Sequence, residues 1–68
     1  MNFTIETEKE DDGRWIAEVP EIPGVLVYGV TREQARANAQ ALALRVVAER
    51  LEHGEMSPDL VTVTFAAA

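Results

Sequence analysis

The sequence has no cysteine and a single histidine, His53. Without cysteine, neither a disulfide framework nor a thiolate metal site can stabilise the fold. His53 lies in the last turn of a predicted helix, where a histidine complements the negative end of the helix dipole, and no second histidine accompanies it to form a zinc site. We therefore expect no metal and no cofactor.

Basic residues and long apolar runs are also scarce. Six Lys and Arg against twelve Asp and Glu give a net charge of −6. Affinity for phosphates comes from clustered Lys and Arg, so we expect no direct binding to nucleic acid and instead a basic protein partner. No run reaches the roughly 20 apolar residues that cross a bilayer, and the N-terminus lacks a signal-peptide layout. We expect a cytoplasmic protein that does not bind membranes.

Catalytic patterns are missing as well. Ser57 stands in a Ser-Pro turn with no base near it in sequence, and the threonines fall in predicted strands or at a helix cap. The acidic residues show no set that would converge on divalent metals. We expect that the protein is not an enzyme.

The 68 residues make one small domain, residues 1–68, near the lower limit for a self-supporting core. A chain of this size buries only about 60% of its unfolded surface. Since disulfides are excluded, self-association is the remaining way to add stability, and we expect a homo-oligomer, either a dimer or a tetramer.

Apolar residues alternate with polar ones in residues 3–8 and again in residues 14–19, the two-residue period of strands. The polar stretch that ends at Gly13 joins them into a hairpin. Pro23 and Gly24 suit a type II turn, after which residues 25–30 form a third strand. Thr31 and Gln34 form a capping box, so a helix is predicted from Arg32 to about His53, with Gly54 just beyond it.

Residues 60–65 then form a fourth strand, giving the order β-β-β-α-β. The predicted fold is α+β: a three-stranded antiparallel meander and one long helix, with the fourth strand parallel to the first.

Three motifs resemble the N-terminal domain of HicB-family antitoxins, over about residues 3 to 50. They are Asp12-Gly13-x-Trp15-x-Ala17, then Glu18-Val-Pro-Glu-Ile-Pro-Gly24, then Gly29-x-Thr31-x-Glu33-x-Ala35 with Asn38. The resemblance implies a partial RNase H-like fold with strand four beside strand one. It also implies a partner, a small basic HicA-type toxin that cleaves mRNA and that the antitoxin covers. HicB antitoxins usually continue into a DNA-binding domain, whereas this sequence ends at Ala68, so we expect no operator binding by this chain alone.

The helix carries apolar residues on two sides when it is projected at about 100° per residue. Ala35, Ala39, Leu42 and Val46 are predicted to pack on the sheet. A second row, on roughly the opposite side, is predicted to be an oligomer interface: Ala37, Ala41, Leu44, Ala48 and Leu51. In HicB-like sequences the positions matching the first four of this row are mostly charged. The alternative is that the alanines only favour the helix.

A second candidate surface is acidic. Glu6, Glu8 and Glu18 are predicted to share the outer face of the hairpin, with Tyr28 near a sheet edge. We interpret these four as a surface for a basic partner, the alternatives being a merely solvated face and, for Tyr28, a cover for the edge. The predicted function is a non-catalytic, HicB-like antitoxin module. The alternative is a stand-alone homo-oligomeric scaffold or small-ligand module without a toxin.

Overall fold

A computed structural model describes residues 1–58 and 62–68. In these residues the chain forms four strands and one helix: β1 (Asn2–Lys9), β2 (Trp15–Glu18), β3 (Leu26–Gly29), α1 (Arg32–Glu52) and β4 (Thr64–Ala67). The sheet has the order β3-β2-β1-β4. β1 and β4 are parallel, and the other pairs are antiparallel. The predicted α+β class and strand order are confirmed.

Two turns after β2 reverse the chain, and their causes lie in the sequence. The amide of Ile22 donates to the carbonyl of Val19 (3.0 Å), and the amide of Val25 donates to the carbonyl of Ile22 (3.2 Å). In the second turn Pro23 is followed by Gly24, which has a φ of +91°. This is the positive φ that a type II turn needs at its third residue, so the predicted turn is confirmed.

The helix begins and ends where the sequence predicts. The hydroxyl of Thr31 accepts a hydrogen bond from the amide of Gln34 at 3.0 Å. Beyond the helix, Gly54 has a φ of +70°, and the amides of Gly54 and Glu55 donate to the carbonyls of Leu51 and Arg50 in a Schellman motif. One half of the capping box was wrong: the side chain of Gln34 accepts from the amide of Val30 at 2.9 Å and not from Thr31.

The row of α1 that packs on the sheet follows a strict spacing of four residues. Ala35, Ala39, Ala43 and Val47 are buried, and Leu51 continues the row as a half-buried residue against the core. Leu42 and Val46, which were predicted to pack on the sheet, do pack against the core but are only half-buried, and the more deeply buried Ala43 and Val47 were not predicted. The i+4 rows of a helix run obliquely to its axis, so a helix that crosses a sheet keeps contact along such a row.

The position of Leu51 also differs from the prediction. The sequence placed it in the outer row of the helix, but the structure places it against the core. The outer row therefore consists of Ala37, Ala41, Leu44 and Ala48.

The fourth strand is displaced from its predicted position. It spans Thr64–Ala67 where residues 60–65 were predicted, and the predicted start at residue 60 lies outside the described residues. Its limits follow β1, because Asn2 to Ile5 pair in register with Thr64 to Ala67. The Phe3 and Phe65 rings, 5.6 Å apart, fix this register. Hydrogen-bonding groups of the β1 backbone are available to pair with these residues, so the alanines join the strand despite their low β propensity.

The core lies between α1 and one face of the sheet. Its members are buried and apolar: Phe3, Ile5, Ala17, Val19, Ile22, Val25, Ala35, Ala39, Ala43 and Val47. Trp15 is half-buried at the margin of this core, with the guanidinium of Arg32 5.9 Å from its ring centre. The alanines let the helix approach closely, and the approach is tightest at Gly29, where an added Cβ would lie 2.8 Å from the Cα of Ala35.

We predict that Gly29→Ala will destabilise the protein by about 3 kcal/mol or more, because the new methyl group meets backbone that cannot move aside. The matched control is Val30→Ala, whose side chain is 78% exposed and whose loss should change stability by less than about 0.5 kcal/mol. Thermal unfolding followed by circular dichroism, at one protein concentration, measures both. Equal stability of the two variants would show that the close approach of the helix to Gly29 is not needed for stability.

Candidate protein-binding surface

The helix covers one face of the sheet and leaves the other bare. We call this bare side the outer face. Because side chains alternate along each strand, the pairing register places six side chains of β1, β2 and β3 together on it. They are Glu6, Glu8, Ile16, Glu18, Leu26 and Tyr28. The predicted residues Glu6, Glu8, Glu18 and Tyr28 are thus neighbours, joined by two apolar residues that the sequence analysis did not assign to this surface.

The first row across the outer face is Glu6, Glu18 and Leu26. Glu6 stands directly opposite Glu18 on the neighbouring strand. The two residues form a hydrogen-bonded pair, because such pairs alternate along an antiparallel ladder and Glu10, four residues further along the chain, donates its amide to the carbonyl of Arg14 at 2.7 Å. Like charges directly opposite each other destabilise a sheet. Leu26 ends the row with 48% of its surface exposed.

The second row is Glu8, Ile16 and Tyr28. Ile16 is half-buried between them, and Tyr28 is 43% exposed. Together with Thr7, the three glutamates and Ile16 line a shallow depression of about 230 Å³. A surface of this kind offers apolar contact at its centre and negative charge around it.

The ring of Tyr28 makes a cation–π contact with an arginine side chain. The guanidinium carbon of Arg14 lies 4.5 Å from the ring centre. Arg14 is itself positioned by Asp12, whose carboxylate accepts from the Arg14 amide at 3.0 Å and from its Nε at 2.7 Å. These bonds hold the pKa of Asp12 below its ordinary value, and the bond from the Arg14 amide has the largest effect. The hairpin turn therefore sets the orientation of the tyrosine.

Glu21 has a structural role that the sequence analysis did not find. Its carboxylate accepts the amide of Thr4, with both oxygens within 3.2 Å of the nitrogen. This bond, to backbone that carries a partial positive charge, lowers the pKa of Glu21. The register places Thr4 opposite Pro20, which has no amide and cannot continue the ladder. Pro20 opposite Thr4 was therefore the feature of the sequence that indicated a missing ladder bond. The carboxylate of Glu21 replaces that bond and joins the turn to β1.

The outer row of the helix lies on the opposite side of the molecule. Ala37 and Ala48 are exposed, Ala41 is half-buried, and Leu44 is 46% exposed. With Leu51 against the core, one leucine and three alanines remain in this row. The two surfaces predicted from the sequence are therefore separate.

Residues 1–58 and 62–68 contain no group of three His, Cys, Asp or Glu side chains that could hold a metal ion. Within the same ranges, no helix combines the length and the apolar composition required to cross a bilayer.

The fold and this surface define a class of small α+β domain in which one helix covers one face of a four-stranded sheet and the other face is left for contacts. No family model matches the chain, and no solved structure matches it. The UPF0150 protein Ta0767 of Thermoplasma acidophilum is 34% identical over 59 residues, which cover 85% of this chain and 84% of that protein. The chain belongs to the UPF0150 family, a family of small HicB-like proteins.

We predict that Glu18→Lys will stabilise the domain by about 0.5 kcal/mol, because it replaces a like-charged pair with an attractive one opposite Glu6. Glu8→Lys makes the same charge change opposite Ile16 and should stabilise less. Urea unfolding of both variants at low salt gives the comparison. A larger gain from Glu8→Lys would show that the Glu6–Glu18 pair is not strained.

Glu21 should contribute to acid sensitivity. Its pKa is lower in the folded state than its ordinary value of 4.5, so its contribution to stability is complete above that value. The contribution is lost as the pH falls through the lowered, folded-state pKa. Glu21→Gln should therefore be less stable than the parent at neutral pH, and the difference should shrink in acid. A difference that stays constant with pH in urea unfolding would contradict the role assigned to the carboxylate.

Proposed function

We propose that this chain is a non-catalytic, cytoplasmic protein-binding module of the HicB antitoxin type, which binds a small basic protein on its outer face. In this role it would neutralise a HicA-type toxin by covering the toxin's mRNA-cleaving site. Membership of a family of small HicB-like proteins supports the antitoxin type. The toxin itself is the part of the proposal that needs a binding experiment.

The observation that carries the proposal is the Glu6–Glu18 pair beside Ile16. Two carboxylates held opposite each other repel, and a lysine or arginine from a partner would relieve that repulsion when it binds between them. Glu8 adds a third carboxylate at the margin of the same depression. Complementary charge of this kind raises the association rate and fixes the orientation of the partner.

The apolar residues supply the other requirement for a protein interface. Ile16, Leu26 and Tyr28 are partly exposed and adjacent, and aromatic residues are enriched at the centres of interfaces. The arrangement of apolar residues with carboxylates beside them favours a protein over a nucleic acid, because the same carboxylates would repel phosphates.

A second candidate function is a homo-oligomeric scaffold without a toxin. The exposure of Leu44 in the outer row of the helix favours it, since a leucine there loses contact with water only in an assembly. In that case the row formed by Ala37, Ala41, Leu44 and Ala48 would pack against a second copy. A homo-oligomer recovered without any basic partner would support this function.

The test of the leading proposal inspects the neighbouring reading frames for a small basic protein and purifies any such protein together with this chain. The double variant Glu6→Gln with Glu18→Gln should slow association about tenfold at low salt and weaken its dependence on salt. Surface plasmon resonance over a range of salt concentrations measures both effects.

The matched control is Glu33→Gln with Glu52→Gln, which removes the same charge from exposed positions on the helix. It should leave the association rate within about twofold of the parent. Equal effects of the two double variants, or no complex with the basic protein, would contradict the proposal.

A further inference from the structure

β3 is an edge strand, and the hydrogen bonds next to it show which of its backbone groups face outward. The amide of Val19 donates to the carbonyl of Val25 at 3.0 Å. In the same register Ala17 pairs with Val27 and Trp15 with Gly29, so these odd-numbered residues of β3 exchange the bonds with β2. The amides and carbonyls of Leu26 and Tyr28 therefore point away from the sheet.

The helix satisfies some of the groups along this edge. Asn38 donates its Nδ2 to the carbonyl of Tyr28 at 3.0 Å, and the amide of Val30 donates to Gln34 at 2.9 Å. Three outward groups have no partner among residues 1–58 and 62–68: the amide and carbonyl of Leu26 and the amide of Tyr28. An edge strand with free groups and no charged side chain is a template for another strand.

We propose that β3 pairs antiparallel with β3 of a second copy, with Val27 on the two-fold axis. Leu26 then stands opposite Tyr28 of the second copy. The Tyr28 amide of each copy donates to the Leu26 carbonyl of the other, which uses groups that are free in the single chain. The Leu26 amide donates to the Tyr28 carbonyl, whose second lone pair is available beside the bond from Asn38. The four strands of each copy join into one eight-stranded sheet.

The side chains support this register. Leu26 and Tyr28 are 48% and 43% exposed, and the pairing sets each against the other across the axis as an aromatic–aliphatic cross-strand pair. Each row of the outer face then continues into the second copy. Ile16, Tyr28 and Leu26 of both copies form one apolar band, with the carboxylates of Glu6, Glu8 and Glu18 to either side.

The lack of charge permits a second copy at this edge, and the exposed side chains of Leu26 and Tyr28 distinguish it from β4, the other uncharged edge strand. Each chain carries a net charge of −6, so two copies repel each other wherever acidic residues meet. Residues 22–31 contain no charged side chain, and β3 lies within them. An antiparallel pair about a two-fold axis is also self-complementary, as an interface between identical copies must be.

The surface buried in this dimer must include one flank of the helix as well as the edge strand. A stable interface takes about 800 Å² from each partner, which is a large share of the 4621 Å² surface of this chain. The edge strand alone is too short to supply it. Because α1 packs on β2 and β3, the two helices would lie side by side, with Gln34, Asn38 and Ala41 between them at the i, i+4, i+7 spacing of one flank. This dimer leaves Glu6, Glu8 and Glu18 uncovered and does not depend on the proposed function.

The test compares Leu26→Glu with Leu44→Glu, which make the same change at two leucines that are 48% and 46% exposed. The parent should have twice the 7.5 kDa mass of one chain in sedimentation experiments over a concentration series. Leu26→Glu should weaken the dimer by about 30-fold or more, and Leu44→Glu should leave it unchanged. A monomeric parent, or a dimer that only Leu44→Glu disrupts, would overturn the proposal, and the latter result would favour the outer row of the helix.

Hydrogen exchange of the parent tests the same contact without a variant. The Tyr28 amide should exchange slowly at concentrations where the dimer forms and rapidly at concentrations where the chain is monomeric. If both glutamate variants are monomeric, this measurement decides: slow exchange of Tyr28 in the parent dimer supports pairing through β3. Rapid exchange of Tyr28 in the dimer would overturn it.

Discussion

The close contact between α1 and the sheet determines the rest of the structure. Four small or β-branched residues at a spacing of four allow the helix to lie on β2 and β3, and Gly29 allows its first turn to touch the strand. A single helix can cover only one face of a sheet. Every residue that alternates with the core positions must therefore face outward, so the covering of one side creates the exposed surface on the other.

That exposed surface combines features that do not favour the isolated domain. Glu6 faces Glu18, and the apolar side chains of Leu26 and Tyr28 are only half covered. The two proposed contacts would remove these costs, because a basic partner would neutralise the carboxylates and a second copy would bury the edge. The contact with a basic partner depends on the carboxylates of Glu6 and Glu18, and the contact with a second copy depends on the backbone groups of the β3 edge. Leu26 and Tyr28 belong to both contacts, so the two surfaces adjoin each other.

Local signals in the sequence predicted much of this fold. Pro23 with Gly24, Thr31 with Gln34, and Gly54 each act over a few residues, and the structure contains the turn, the cap and the helix end that they predict. What the sequence did not predict depends on distant pairing. The limits of β4 are set by β1, the assignment of Leu51 by the angle at which the helix crosses the sheet, and the role of Glu21 by the gap opposite Thr4. For the same reason the acidic residues of the outer face were predicted, whereas Ile16 and Leu26 were not.

We propose that the outer face of the sheet is the surface on which this domain meets a basic protein. The most direct measurement is carboxyl labelling with a carbodiimide and an amine, read by mass spectrometry. It compares the free chain with its complex with a small basic protein found in a neighbouring reading frame. We expect that Glu6, Glu8 and Glu18 lose labelling in the complex while Glu33 and Glu52 on the helix keep it. Loss of labelling on the helix, with the sheet carboxylates still reactive, would show that the partner binds elsewhere.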